Sequence, residues 1–189
     1  FALLSTLLSL AVGFAFAYAV VRGSWRWLDG ASLLPLATSA VTLGFGYLLA
    51  FPALRGSVAS VALAHALLAF PFVARSLLPA LRAMPQSVLE AAALLGARPL
   101  EVLHRVELPI LAPAFVSAAS FAFAISMGEF GATLTLLPER YATLPVAIFD
   151  RLGRPGAENY GAALALAFVL MLVTGLVMLL LERFGEPEI

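Results

Sequence analysis

Apolar positions along this chain do not alternate with polar ones; they run on without a break. Five stretches, residues 2–21, 33–51, 58–81, 110–137 and 160–181, are apolar almost from end to end. Crossing about 30 Å of hydrocarbon takes roughly 20 helical residues, which each stretch supplies. Irregular backbone cannot face lipid, because its N–H and C=O groups would go unpaired there. The pattern therefore predicts an all-α, polytopic bundle of five transmembrane helices in a single domain over residues 1–189. The abrupt start at Phe1, with no initiator Met and no basic stretch before the apolar run, reads as one half or a fragment of a longer protein.

One polar-studded segment interrupts this pattern between the third and fourth stretches. Residues 90–109 read EAAALLGARPLEVLHRVELP. Ser87 followed by Glu90 has the spacing of a capping box, and Glu90 would also meet the positive end of the helix dipole. Ala91, Ala92, Ala93, Leu94 and Leu95 are strong helix formers, and Gly96 suits a left-handed stop. Pro99 fits the first position of a second helix over residues 100–107, which Pro109 would close. Two helices of roughly 12–15 Å are too short to cross a membrane. Their small alanine face and balanced charge suit a protein groove better than a lipid surface.

Composition sharpens the class. Hydrophobic residues make up 62% of the chain, charged residues 12%, and the mean hydropathy is +1.02. Soluble domains carry about 25% charged residues, so the balance is that of a membrane protein. There is no cysteine, which excludes disulfides, thiolate catalysis and cysteine metal sites. All 11 basic residues are arginine. A phosphate-binding loop of the G-x-x-x-x-G-K-[ST] type and a Schiff base are therefore both excluded. The net charge is zero and no basic cluster with interleaved aromatics occurs, so nucleic acid is not a partner. An intramembrane hydrolase would need a nucleophile and base, but no G-x-S-x-G occurs and the two histidines lie on different levels. A stand-alone secondary transporter would need intramembrane charges for ion coupling, and Glu129 is almost the only one.

Arginine placement gives an orientation. With the 90–109 insert on the cytoplasmic side, inner segments hold Arg22, Arg26, Arg82, Arg98, Arg105 and Arg183, against Arg55, Arg140, Arg151 and Arg154 outside. That bias favours a cytoplasmic insert. Trp25 and Trp27 fit an interfacial anchor, and Arg75 would snorkel toward the inner interface.

Few side chains in the spans carry chemistry. Glu129, within SMGEFGATLTLL, must face the bundle or water, since an acid at mid-bilayer costs about 2.5–3.5 kcal/mol. Two readings stay open: a translocation-path residue together with Ser126 and Thr133, or a satisfied acid paired with an arginine or a helix backbone. Gly128 and Gly131 would loosen or break the helix around it. His65 is expected to be a buried, hydrogen-bonded histidine, because zinc needs three or four ligands. Pro71 is expected to kink the third span. Small residues such as Gly13, Ala17 and Gly44 suit close helix packing. The stretch TLPVAIFDRL, in the loop 138–159, is too short to cross and reads as a surface or re-entrant helix.

Glu90-Ala91-Ala92, then Gly96, then Val106-x-Leu108-Pro109, resembles the EAA loop of ABC-importer permease subunits, E-A-A-x3-G-x9-I-x-L-P. Val106 stands where isoleucine is usual. The resemblance covers nearly the whole chain and implies a permease of the inner membrane whose loop is a cytoplasmic coupling helix. It implies three partners: a dimer of cytoplasmic ATP-binding subunits, a second permease half (fused or a homodimer mate) and an extracytoplasmic substrate-binding protein. ATP and Mg would be bound by the ATPase partner, with no cofactor on this chain and no catalysis by it. Arg140, Asp150, Arg151 and Arg154 would face the binding protein. The segment SMGEFGATLTLLPERYATLPVAIFDRLGRPG, residues 126–156, looks most like permeases for iron(III), thiamine or polyamine, while molybdate and sulfate permeases, the alternative, also share a run like Gly128–Thr133. A negative Glu129 near the outer mouth would repel an oxyanion, which favours iron or thiamine.

Overall fold

The computed structural model describes residues 1–23, 27–54, 56–137 and 143–185, and the described residues are helical with no strand. Trp25, Arg26, Arg55 and Arg140 lie outside them. Four helices are long and apolar enough to cross a membrane. These are α1 (Ala2–Arg22), α4 (Val58–Ala83), the helix Pro99–Gly128 and α10 (Ala157–Gly185). Shorter elements are α2 (Leu28–Ala31), α3 (Ala40–Ala50), α5 (Gln86–Leu94), α8 (Gly131–Leu136) and α9 (Leu144–Leu152). The first, third and fifth expected spans thus appear as α1, α4 and α10.

The second expected span, 33–51, is not one helix. Its helical part, α3, has 11 residues, or about 16 Å, which is short of a bilayer. Pro35 opens a 3₁₀ turn over Leu34–Ala37, and Thr38 and Ser39 are extended before α3 begins. The chain nonetheless returns along the bundle here. Ser9 bonds to the Ala66 carbonyl, and Arg22 reaches Met84, so α1 and α4 run parallel. Their connection must bring the chain back from the Arg22 end to the Val58 end.

The fourth expected span, 110–137, is also corrected, at both ends. Pro109 does not close a separate helix. Residues Pro99–Val102 (α6) pass through a π turn, Leu103–Glu107, into α7 (Leu108–Gly128), giving the continuous 30-residue helix Pro99–Gly128. Proline has no N–H for the preceding turn and its ring crowds that turn's carbonyl. The wider π turn, in which the Leu108 N–H meets the Leu103 carbonyl, makes room for it. At the other end the helix stops at Gly128, and after Glu129 and Phe130 the chain resumes as α8.

Two apolar clusters hold these pieces. Ala17, Val20, Val73, Leu77, Leu81, Leu111 and Ala118 join α1, α4 and α7. Val61, Ala64, Ala132 and Leu136 join α4 and α8 at the other end. Small residues set the approach. A Cβ at Gly13 would strike the Val73 side chain, and one at Gly44 would strike the Thr135 hydroxyl and sit 3.2 Å from the Ala132 Cα. Gly44→Val should therefore part α3 from α8 and cost about 1–3 kcal/mol, read as a lowered melting temperature in detergent. An unchanged melting temperature would mean that α3 and α8 do not pack at this distance.

Candidate functional site

Two groups of residues stand out, one at each end of the bundle. The insert forms the first. Helix α5 begins at Gln86, with Pro85 in the N-cap position and no side-chain cap. The Ser87–Glu90 capping box is thus not formed, because Ser87 already lies inside the first turn. Glu90 falls one turn too late to cap or to meet the dipole. The acid that does cap is Glu101, whose Oε2 accepts the Arg98 N–H at 2.9 Å.

Gly96 behaves as its chemistry requires. Its φ is +81°, the Gly96 N–H meets the Ala93 carbonyl at 2.9 Å, and the Ala97 N–H meets the Ala92 carbonyl at 3.1 Å. These two bonds close α5 in a Schellman motif. The turn leaves Leu94 and Leu95 88% and 89% exposed, side by side with the exposed Leu100. Adjacent bare leucines of this kind mark a contact surface. Glu90 and Ala91 share that exposed insert. Val106, Leu108 and Pro109 instead lie within the long helix around Glu107.

Glu107 itself is a residue that sequence reading passed over. It is buried, and its Oε1 takes a hydrogen bond from the Arg22 Nη2 at 2.7 Å. The Arg22 guanidinium also lies 5.9 Å from the centre of the Tyr18 ring. The end of α1 is thereby fastened to the π turn.

The second group sits at the α7–α8 break. Glu129 is 8% exposed. Its Oε1 accepts the Ala132 N–H at 2.9 Å, and its Oε2 accepts the Thr133 N–H at 3.0 Å and the Thr133 hydroxyl at 2.9 Å. His65 Nε2 is 3.1 Å from Oε2 and 2.6 Å from the Thr133 hydroxyl. The other ring nitrogen, Nδ1, is 2.8 Å from Ser126 Oγ, which is 2.6 Å from Ser5 Oγ. With the proton on Nε2, each hydroxyl hydrogen has an acceptor: Ser5 to Ser126, Ser126 to Nδ1, Nε2 to Thr133, and Thr133 to Glu129.

Ser126, Glu129 and Thr133 are thus brought together in one hydrogen-bonded cluster. His65 joins them in its expected hydrogen-bonded role, and no group of three potential metal ligands occurs among the described residues. Glu129 pairs with a histidine and a helix backbone, not with an arginine. Both of its oxygens are occupied by donors within the bundle, so the carboxylate is turned inward and not toward an open path.

Together these features define a multi-pass helical membrane protein whose distinctive exposed surface is a compact insert at one end. Residues 3–186 match the family described as "Binding-protein-dependent transport system inner membrane component". The chain belongs to that family: it is the permease subunit of an ABC importer, an inner-membrane component without catalytic activity or a bound cofactor of its own. Such a system includes an ATPase and a binding protein.

Three relatives frame the cargo. The chain is 34% identical over 198 residues to the putative 2-aminoethylphosphonate permease PhnV of Salmonella typhimurium, covering 95% of this chain and 74% of the relative. It is 36% identical over 196 residues to the molybdenum permease ModB of Mycobacterium tuberculosis, covering 93% and 72%. Against ModB of Escherichia coli it is 32% identical over 202 residues, covering 90% and 86%. None of these is an iron or thiamine permease by name, and the molybdate alternative is the better supported. The physical ground for favouring iron or thiamine also weakens, since Glu129 is buried and its oxygens are hydrogen-bonded within the bundle.

Proposed function

We propose that this chain forms one side of a conduit for a tetrahedral oxyanion, molybdate or a phosphonate such as 2-aminoethylphosphonate. Its likeness to PhnV and ModB over nearly its whole length carries that reading. A buried and internally paired Glu129 is compatible with an anionic cargo, where a bare carboxylate would repel it.

The 90–109 insert is the coupling element, facing the cytoplasm. Glu90, Ala91, Ala92 and Gly96 shape the helix that seats in a groove of the ATPase, with Leu94 and Leu95 as its apolar knob. Val106, Leu108 and Pro109 carry the motion into the membrane through the long helix. Ser126, Glu129 and Thr133 act as the joint between α7 and α8, not as the wall of the path, because all three are buried. A second permease half, separate or fused, completes the conduit.

The test is uptake into proteoliposomes holding the full permease with its ATPase and binding protein. ATP-dependent accumulation of molybdate or 2-aminoethylphosphonate is expected. Accumulation of ferric iron or thiamine with neither oxyanion would overturn the cargo reading.

A further inference from the structure

The face of α4 nearer the insert is unlike the other exposed helix surfaces. Phe72, Arg75, Pro79 and Arg82 are exposed along one stripe, with Ser76 half-buried among them. By contrast, α10 has no charged residue from Tyr160 to Leu181, and its most apolar stretch buries no residue within the chain. That is the surface lipid selects. An arginine on such a surface would cost about 2.5–3.5 kcal/mol. Arg75 lies eight residues before the end of α4, about 12 Å inside a spanning helix.

The two arginines of the stripe are in different states. Arg82 donates from Nη2 to Asp29 Oδ2 at 2.7 Å. Arg75 stands 3.7 Å from Asp29 Oδ1 and makes no hydrogen bond among the described residues, while 49% of its side chain is exposed. The hydrogen bond from Arg82, its charge and that of Arg75 hold the Asp29 carboxyl below the usual carboxylate range. Asp29 therefore remains an anion, orients both arginines, and leaves one net positive charge on the cluster. A guanidinium presents a planar fork of five N–H donors that matches an oxyanion in two-point contact. Here the fork is set in place and its donors are uncommitted.

We propose that Arg75 is an oxyanion-contacting residue of the translocation path, held by Asp29, and that the Phe72–Arg82 stripe of α4 is a water-lined wall of that path. The assignment rests on the cargo reading above and adds to it a residue and a place.

Two experiments test it on the assembled transporter, with no native cysteine among residues 1–189 to compete. In phosphatidylcholine nanodiscs, Ser76→Cys should react with a water-soluble, membrane-impermeant methanethiosulfonate reagent, and millimolar molybdate or 2-aminoethylphosphonate should slow the reaction. Leu172→Cys on α10 should not react. In proteoliposomes, Arg75→Gln should lower uptake of whichever oxyanion the unaltered protein moves by about tenfold or more, the loss of one charge-assisted hydrogen bond. Stimulation of ATP hydrolysis by the loaded binding protein should persist, which a merely structural arginine would not allow. An unreactive Ser76→Cys, labelling indifferent to both anions, or Arg75→Gln uptake equal to that of the unaltered protein would overturn the assignment while leaving the cargo reading standing. Labelling that appears only after lipid is removed would assign the cluster to lipid phosphate and overturn it as well. An unaltered transporter that moves neither anion would overturn both.

Discussion

Glu129→Ala will destabilise the protein by about 2–5 kcal/mol, since each buried donor left without its acceptor costs about 1–3 kcal/mol. Among the described residues, the carboxylate is the group that meets the Ala132 and Thr133 amides from outside α8. Its loss leaves two buried N–H groups without that acceptor and the Thr133 hydroxyl with only the long 3.4 Å contact to the residue 129 carbonyl, in a low-dielectric interior. Helix α8, of only six residues, cannot hold its own start without that cap. Glu129→Gln keeps an acceptor for one amide and should fall between. His65→Ala should cost less, about 1–3 kcal/mol, because the Glu129 oxygens keep their amide partners. Thermal unfolding of the purified permease in detergent reads all three. Equal melting temperatures for the alanine variant and the unaltered protein would show that the α7–α8 joint is held by something else.

Gly96→Pro will abolish ATP-driven uptake while leaving the chain in the membrane. Proline fixes φ near −65°, whereas Gly96 sits at +81°. It also removes the N–H that meets the Ala93 carbonyl. The Schellman turn then cannot close, and the exposed leucine pair is re-aimed away from its groove. Each 1.4 kcal/mol of docking energy lost weakens the contact tenfold, so uptake should fall by about tenfold or more. The bundle core contains no α5 residue apart from the partly buried Leu89, so folding is spared. Gly96→Ala, which costs about 1–2 kcal/mol in the left-handed region, should be intermediate. Normal uptake by Gly96→Pro with the ATPase still bound would remove the insert from the coupling path.

What was legible in the sequence was local chemistry and bulk hydropathy. Gly96 could be placed because only a residue lacking Cβ sits easily at positive φ. The bounds of α1 and α4 followed from where arginine and proline interrupt apolar runs. The breaks inside 33–51 and 110–137 were not legible, because a broken apolar run and a continuous one share the same composition. Gly128 and Gly131 hinted at the second break, and nothing hinted that a π turn would absorb Pro109. The paired residues were harder still. His65 is separated from Ser126 and Thr133 by 61 and 68 residues, and Arg22 from Glu107 by 85. No spacing rule connects such positions. The cargo expectation lost its physical ground for the same reason: the acid of Glu129 was visible, but the donors that occupy its oxygens were not.

The unbroken helix from Pro99 to Gly128 makes the protein a rigid crank. At 1.5 Å per residue it is ~45 Å long, running from just past the Gly96 turn to the Glu129 joint. Tilting such a rod by ~10° at one end carries the other through ~8 Å, several times the width of a water molecule. It departs from regular α-helix at the π segment Leu103–Glu107, where Arg22 grips it through Glu107, and again at the interior Pro113. A tilt imposed at the insert end would therefore turn about the Arg22–Glu107 pair and be carried along α7 to the Glu129 joint.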